Sequence, residues 1–307
     1  MPSATLALLR LTSRDRLLVE TLAELRFMTV HQIRQACYPT LRTGSVSHRL
    51  SRLRGGGVLE RAGGRAFDDR RVFWGLGTAG RLAAGALAGT VPPGPRSLAV
   101  GALLMDHLIA TNQIFCDLCT ECRAGRLAAF SWVGSHHARL DLGLTHLVPD
   151  AIIVVPAPEG GRWIYCLERD RGTMPAQRLE EKWRRYRLLD RLARERAGDP
   201  RWDALADAWV IIACDDDRRA KASACTAARA GLERVWAGSA TTCAAALAAA
   251  VGSEALAPER LTGDAAGLLP LPGTVGGVSY RMDAGAAPGA AAGGAGGPLP
   301  GAEEVPA

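Results

Sequence analysis

Apolar residues recur every three to four positions between Arg14 and Leu25, with Leu17, Leu18, Leu22 and Leu25 on one face, and this spacing predicts an amphipathic helix. Thr29 is placed to cap a second helix that turns Ile33 and Ala36 inward, and Tyr38 and Pro39 end it. A third helix, from about Gly44 to Arg54, puts Val46, Leu50 and Leu53 on its buried stripe and His48, Arg49 and Arg52 toward solvent, until Gly55, Gly56 and Gly57 stop it. Val58–Arg61 and Arg71–Trp74 then read as two short strands joined by a loop containing Gly and Asp, and Thr78 caps a further helix. Three helices followed by a β-hairpin is the order of a winged helix-turn-helix, here residues 1–90.

Val91–Arg96, with three prolines, predicts a linker at 91–97. Beyond it, Ala99–Glu121 predicts a long helix with Leu104, His107, Thr111, Ile114 and Leu118 along one side. A strand near Leu127–Val133, strands Ala151–Val155 and Trp163–Leu167, a helix after Pro175 as far as about Arg196, and a strand Ala208–Cys214 follow. A helix from about Asp216 to Trp236 and a short Ala-rich helix complete an α/β (α+β) domain at 98–257. From Pro258 the chain turns to Ala, Gly and Pro, a composition that buries too little surface to offset the entropy of ordering, so 258–307 is expected to be a disordered tail.

The predicted hairpin across Pro156–Arg162 carries the sharpest chemistry. Asp150 opens one strand, and Glu168 and Asp170 close the other, so pairing brings three carboxylates toward one sheet edge. Carboxylate oxygens are the hard ligands of Mg²⁺ or Mn²⁺, which can activate a water and neutralise charge developing on a phosphate. The run is similar to the PD-(D/E)XK nuclease superfamily, except that position 170 holds Asp where that pattern has a lysine. Lys182, one of only two lysines beside 35 arginines, falls within the apolar stripe Leu179, Trp183, Tyr186 and Leu189 and should point to the sheet. Two roles are open to it, replacement of the missing lysine or passage beside Trp183 to solvent. His107 likewise fits either a buried histidine bonded to a backbone carbonyl or a contribution to the acidic site.

Charge is uneven along the chain. Residues 1–90 carry 14 Arg against 6 Asp plus Glu, a net of +8, within a total of +6. A basic small domain joined to a near-neutral larger one points to contact with nucleic acid through phosphates. Arg49, Arg52 and Arg54 are the leading candidates for double-stranded DNA, with His48 beside them, Arg42 leading in, and Arg65, Arg70 and Arg71 on the wing. A solvated basic face, or a protein-docking winged helix, fits the same pattern. Cys116, Cys119 and Cys122 step by about 300° on a helix and fan out rather than converge, and the eight cysteines read as reduced thiols. The neighbours His136 and His137 would face opposite sides if they lie in a strand. Without a membrane-length apolar run or a signal sequence, a cytoplasmic protein is expected, with no membrane partner.

Arg14 to Leu25, RLSRLRGGGVLER, LGTAG, DHLIATN, VPDAIIVV, and LERDRGT followed by KWRRY give the chain a resemblance to the replication-relaxation family over roughly Ser13 to Cys214. That family occurs on plasmids and other mobile elements of Gram-positive bacteria. The resemblance implies a winged helix joined to a nuclease-like domain, with DNA and other plasmid replication or mobilisation proteins as partners. Three readings follow: a DNA-binding accessory or regulatory protein; a metal-dependent nickase using Asp150, Glu168, Asp170 and Lys182, with His107 alongside; and a winged-helix transcriptional regulator, for which no ligand-specific motif speaks. The aspartate at 170 favours the first, whereas the need to balance three carboxylates favours a metal.

Overall fold

The computed structural model describes residues 11–63, 72–88, 101–157, 161–253 and 280–283. It begins with three helices, α1 (Ser13–Leu25), α2 (Val30–Cys37) and α3 (Thr43–Gly55), followed by an antiparallel pair, β1 (Leu59–Gly63) and β2 (Val72–Leu76), and by α4 (Thr78–Ala88). Two reciprocal capping boxes set the first helices: Thr12 with Asp15 on α1, and Thr29 with Gln32 on α2. On α3 the expected stripe of Val46, Leu50 and Leu53 is buried. The linker at 91–97, the expected wing residues Arg65, Arg70 and Arg71, and the tail expected to be disordered at 258–307 lie outside the described residues, except for 280–283, which form a strand instead.

The long helix α5 (Ala102–Arg123) leads into a mixed sheet. The strands β3 (Ala129–Gly134), β6 (Ala151–Pro156) and β7 (Arg162–Asp170) are antiparallel neighbours. The strands β8 (Trp209–Cys214) and β9 (Val235–Ser239) continue the sheet in parallel with β7, and β10 (Tyr280–Asp283) pairs with the outer edge of β3. A small pair, β4 (Leu140–Asp141) and β5 (His146–Leu147), lies beside it. The elements α6 (Ala176–Glu195), α7 (Pro200–Ala206), α8 (Asp217–Arg229) and α9 (Ala240–Ser253) complete the helices of the described residues.

Alternation along the strands sorts their side chains into two cores. Ile153, Val155, Tyr165, Leu167 and Ile211 pack toward Phe115, Cys119 and Leu247 of α5 and α9, whereas Ile152, Val154, Ile164, Cys166 and Ile212 pack toward Trp183, Tyr186 and Ala227 of α6 and α8. The result is a sheet covered on both faces, which is why β6, β7 and β8 read as nearly unbroken apolar runs. The first core continues without interruption into Leu18, Leu22, Ile33 and Leu50 of the three-helix part.

Two sequence expectations are corrected, and the reading of the cysteines as reduced thiols agrees with the structure. The helix expected from Asp216 to Trp236 ends at Arg229, where Ala230, Gly231 (φ 78°) and Leu232 turn the chain into β9, so Trp236 is a strand residue. α5 starts at Ala102, and Leu104, placed on its inner stripe by periodicity, is exposed. The triplet Cys116, Cys119 and Cys122 is buried in the first core, and all eight cysteines are free thiols.

Candidate functional site

The β6–β7 register pairs Ala151 with Leu167, so the residues one step beyond, Asp150 and Glu168, face each other across the strands. Asp150 donates its N–H to Leu167 O at 3.0 Å and accepts from Arg169 N–H at Oδ2, 2.7 Å. Its other oxygen meets His107 Nε2 at 3.0 Å. Glu168 is ion-paired with Lys182 through Oε2 and accepts from Tyr186 OH at Oε1, 2.5 Å. One end of the sheet thus gathers His107 from α5, Asp150 and Glu168 from adjacent strands, and Lys182 and Tyr186 from α6. Glu168 is 5% exposed, whereas Asp150, Lys182 and His107 keep 19%, 18% and 30%, leaving one side of the cluster open to solvent.

The charges explain the titration of the group. Burial would raise Asp150, but Lys182, His107 and the Arg169 N–H outweigh it and hold the carboxyl below its ordinary value. Burial also raises Glu168, and Lys182 offsets this only in part because Asp150 acts against it; the carboxyl is pushed up to about 7. Burial works against the Lys182 ammonium, yet Glu168 and Asp150 together raise it. One lysine between two carboxylates neutralises one of them, and Glu168 is the last to ionise.

Asp170 does not join this group. Two residues along a strand is a step of about 6.6 Å, and Asp170 already lies beyond the start of β6, beside Cys214 of β8. There its carboxylate is held by Arg219 at 2.9 and 3.0 Å, by Ser223 OH at 2.5 Å and by Gly172 N–H at 2.8 Å. Burial raises it, but these partners win and keep it below the usual carboxylate range. The expected cluster of three carboxylates is therefore a pair plus a separately neutralised Asp170, and its counterion is Arg219 rather than a metal shared with Asp150. Asp150 and Glu168 alone still suit Mg²⁺ or Mn²⁺, which is bound by one or two carboxylates and completes its shell with water and phosphate oxygens. Each oxygen accepts one protein donor and keeps a further lone pair.

On α3 and at its cap, Arg42, His48, Arg52 and Arg54 are exposed. Arg49 is drawn inward instead: it pairs with Asp15 of α1, donating Nε–H to Oδ1 at 2.9 Å, and Tyr38 OH donates to the same oxygen at 2.9 Å.

Asn112 is a further residue that periodicity does not single out. It is buried on α5 and donates to Leu25 O at 2.9 Å and Phe27 O at 2.7 Å, stitching the end of α1 to α5, while Gln32 donates to Ile109 O at 2.8 Å. The amide in DHLIATN is a signal for it, since a buried amide must find partners.

The family model for replication-relaxation proteins matches residues 19–199, more than half of the chain. The chain belongs to the replication-relaxation family. No curated protein and no solved structure matches it. The replication-relaxation match takes in α2, α3, both hairpin strands, His107, Asp150, Glu168 and Lys182, but stops before Arg219 and Ser223, the partners of Asp170. Among the described residues no helix is long and apolar enough to cross a membrane.

Proposed function

We propose that this replication-relaxation protein binds double-stranded DNA through α3 and the β1–β2 hairpin, acting as a winged helix-turn-helix, in the replication or mobilisation of a plasmid or other mobile element. The observation that carries this reading is the charge on α3. From Leu25 to Leu59 the sequence contains no acidic residue, and Arg42, His48, Arg52 and Arg54 are exposed there. The arginines of α6 differ, because Arg184, Arg185, Arg191 and Arg194 each pair with a carboxylate four residues away. Positive charge on a helix without carboxylates of its own attracts phosphates, while charge laced with carboxylates mainly solvates a surface. Fluorescence anisotropy with duplex DNA across a salt series tests it. Binding should weaken steeply with salt, and an Arg52→Ala/Arg54→Ala pair should lower the log–log slope by about 1 for each phosphate that the variant ceases to neutralise. Equal affinity of the variant and the native protein would sink the assignment to α3.

A second reading is favoured by the meeting of Asp150, Glu168 and Lys182 at a solvent-open sheet end. In a nuclease-like fold, Asp150 and Glu168 would hold Mg²⁺ or Mn²⁺, an ion able to activate water and offset charge on a phosphate. Lys182 would orient Glu168 and face the substrate side, and His107 would fix the Asp150 carboxylate. Supercoiled plasmid incubated with Mg²⁺, Mn²⁺ or EDTA decides this: metal-dependent nicking that Asp150→Ala abolishes supports it. Intact plasmid at protein concentrations that shift its mobility leaves the DNA-binding reading alone standing.

A further inference from the structure

Gly134 ends β3, and a tight turn follows in which His137 N–H and Ala138 N–H donate to Gly134 O at 2.8 and 2.9 Å. In this turn His136 and His137 do not face opposite sides; their ring centroids lie 4.0 Å apart. Each offers a ring nitrogen within 4.8 Å of the other and of a Glu24 carboxylate oxygen, at the end of α1. The approach is close: a Cβ on Gly134 would sit 2.3 Å from the Glu24 carbonyl oxygen and 3.2 Å from His136 Nδ1.

The Glu24 side chain is fully buried, and its ion-pair partner is His137, at 3.1 Å from Nδ1; Gly134 N–H adds a bond at 3.0 Å. Among the described residues no arginine or lysine pairs with it. A carboxylate can only accept, so in this contact His137 Nδ1 carries the proton, which a metal ion bound there would displace. His136 Nε2 meets Ala23 O at 3.0 Å, and a carbonyl can only accept, so Nε2 carries the proton and Nδ1 keeps its lone pair. A distal N–H fixed on a backbone carbonyl is the arrangement that orients a metal-binding imidazole.

We propose that Glu24, His136 and His137 form a binding site for a divalent transition-metal ion of the zinc type, distinct from the acidic sheet end. Two imidazoles and a carboxylate make a three-ligand set that leaves the fourth tetrahedral position to water. Bonds of about 2.1 Å place tetrahedral ligand atoms about 3.4 Å apart, and the His137 Nδ1 contacts to Glu24, at 3.1 and 3.3 Å, already match. The nitrogen-rich donors select against Mg²⁺, which prefers oxygen. The bound ion ties the end of α1 to the end of β3 and takes the place of the His137 Nδ1 proton, which is released, as the positive charge beside Glu24.

The test uses the full chain stripped with chelator and titrated with Zn²⁺ by calorimetry and with Co²⁺ as a spectroscopic reporter. One equivalent should bind, with the visible absorption of tetrahedral Co²⁺ and a rise in Tm. His137→Gln, a change at a partly exposed side chain, should weaken binding roughly tenfold or more, as should Glu24→Gln. Cys225→Ser, which removes the exposed thiol, should leave binding unchanged. A native protein that takes up neither ion stoichiometrically, or a His137→Gln variant that binds as tightly as the native chain, overturns the proposal; if Glu24→Gln fails to fold, His137→Gln decides alone.

Discussion

At the scale of single residues, Asp150, Glu168 and Lys182 share two negative charges and one positive one, and the imbalance falls on Glu168. A buried acid raised to about 7 is protonated in the native state at pH values where the unfolded chain, near 4.5, has already lost its proton. Between those limits the native state binds more protons, so Glu168 makes stability fall as pH rises from about 4.5 to 7. We expect Glu168→Gln to flatten that arm of a Tm-against-pH profile; an unchanged arm would show that the carboxyl ionises normally. Asp15 behaves in the opposite way. Burial pushes it up, but Arg49, Thr12 and Tyr38 hold it down at about 2, against 3.8 when unperturbed. Its stabilisation, about 2 kcal/mol, is complete above about pH 4 and is lost as pH falls through about 2. Acid unfolding followed by circular dichroism should move to higher pH in Asp15→Asn. Asp170, held by Arg219 and Ser223, belongs with Asp15: Asp170→Asn should destabilise by about 2 kcal/mol in urea melts, and any metal-dependent nicking by the folded protein should survive it.

At the scale of elements, α3 shows how far a hydrophobic stripe can be trusted. Val46, Leu50 and Leu53 were readable from spacing because burial on a helix repeats every 3.6 residues. Arg49 lies beside that stripe, and its inward turn depends on Asp15, 34 positions earlier, which periodicity within one helix does not report. Arg49→Met should cost about 3 kcal/mol by stranding a buried carboxylate, whereas Arg52→Ala should leave Tm nearly unchanged and weaken only DNA binding. Chemical denaturation of both variants separates the two roles. The β6–β7 hairpin was also visible in the sequence, along with Lys182 among Leu179, Trp183 and Tyr186 on the face of α6 that meets the sheet. The convergence of His136 with His137 was not, because alternation assumes a strand and the pair lies in a turn. β9 escaped notice because Val235–Ser239 is short and sits between helical runs rich in alanine.

At the scale of the whole molecule, α5 joins what the sequence divides at its proline-rich stretch. Its outer turns carry His107 to Asp150, and its middle fixes Leu25 and Phe27 through Asn112. Asn112→Ala would remove the side-chain donor from the buried Leu25 and Phe27 carbonyls, of which Leu25 O keeps the Phe27 N–H at 2.7 Å, and should destabilise the chain by about 2 kcal/mol, with one cooperative transition in calorimetry for both the variant and the native protein. Two separate transitions would instead show that the three-helix part unfolds on its own. The same clamp has a geometric consequence for any duplex lying on α3. Because the amide of one asparagine pins the carboxyl end of α1 to the helix that reaches the acidic sheet end, a duplex bound there would meet that end at one fixed angle and distance. If α3 reads DNA as proposed, anything the second part did to that duplex would fall at a set number of base pairs from the site, as a ruler rather than a tether.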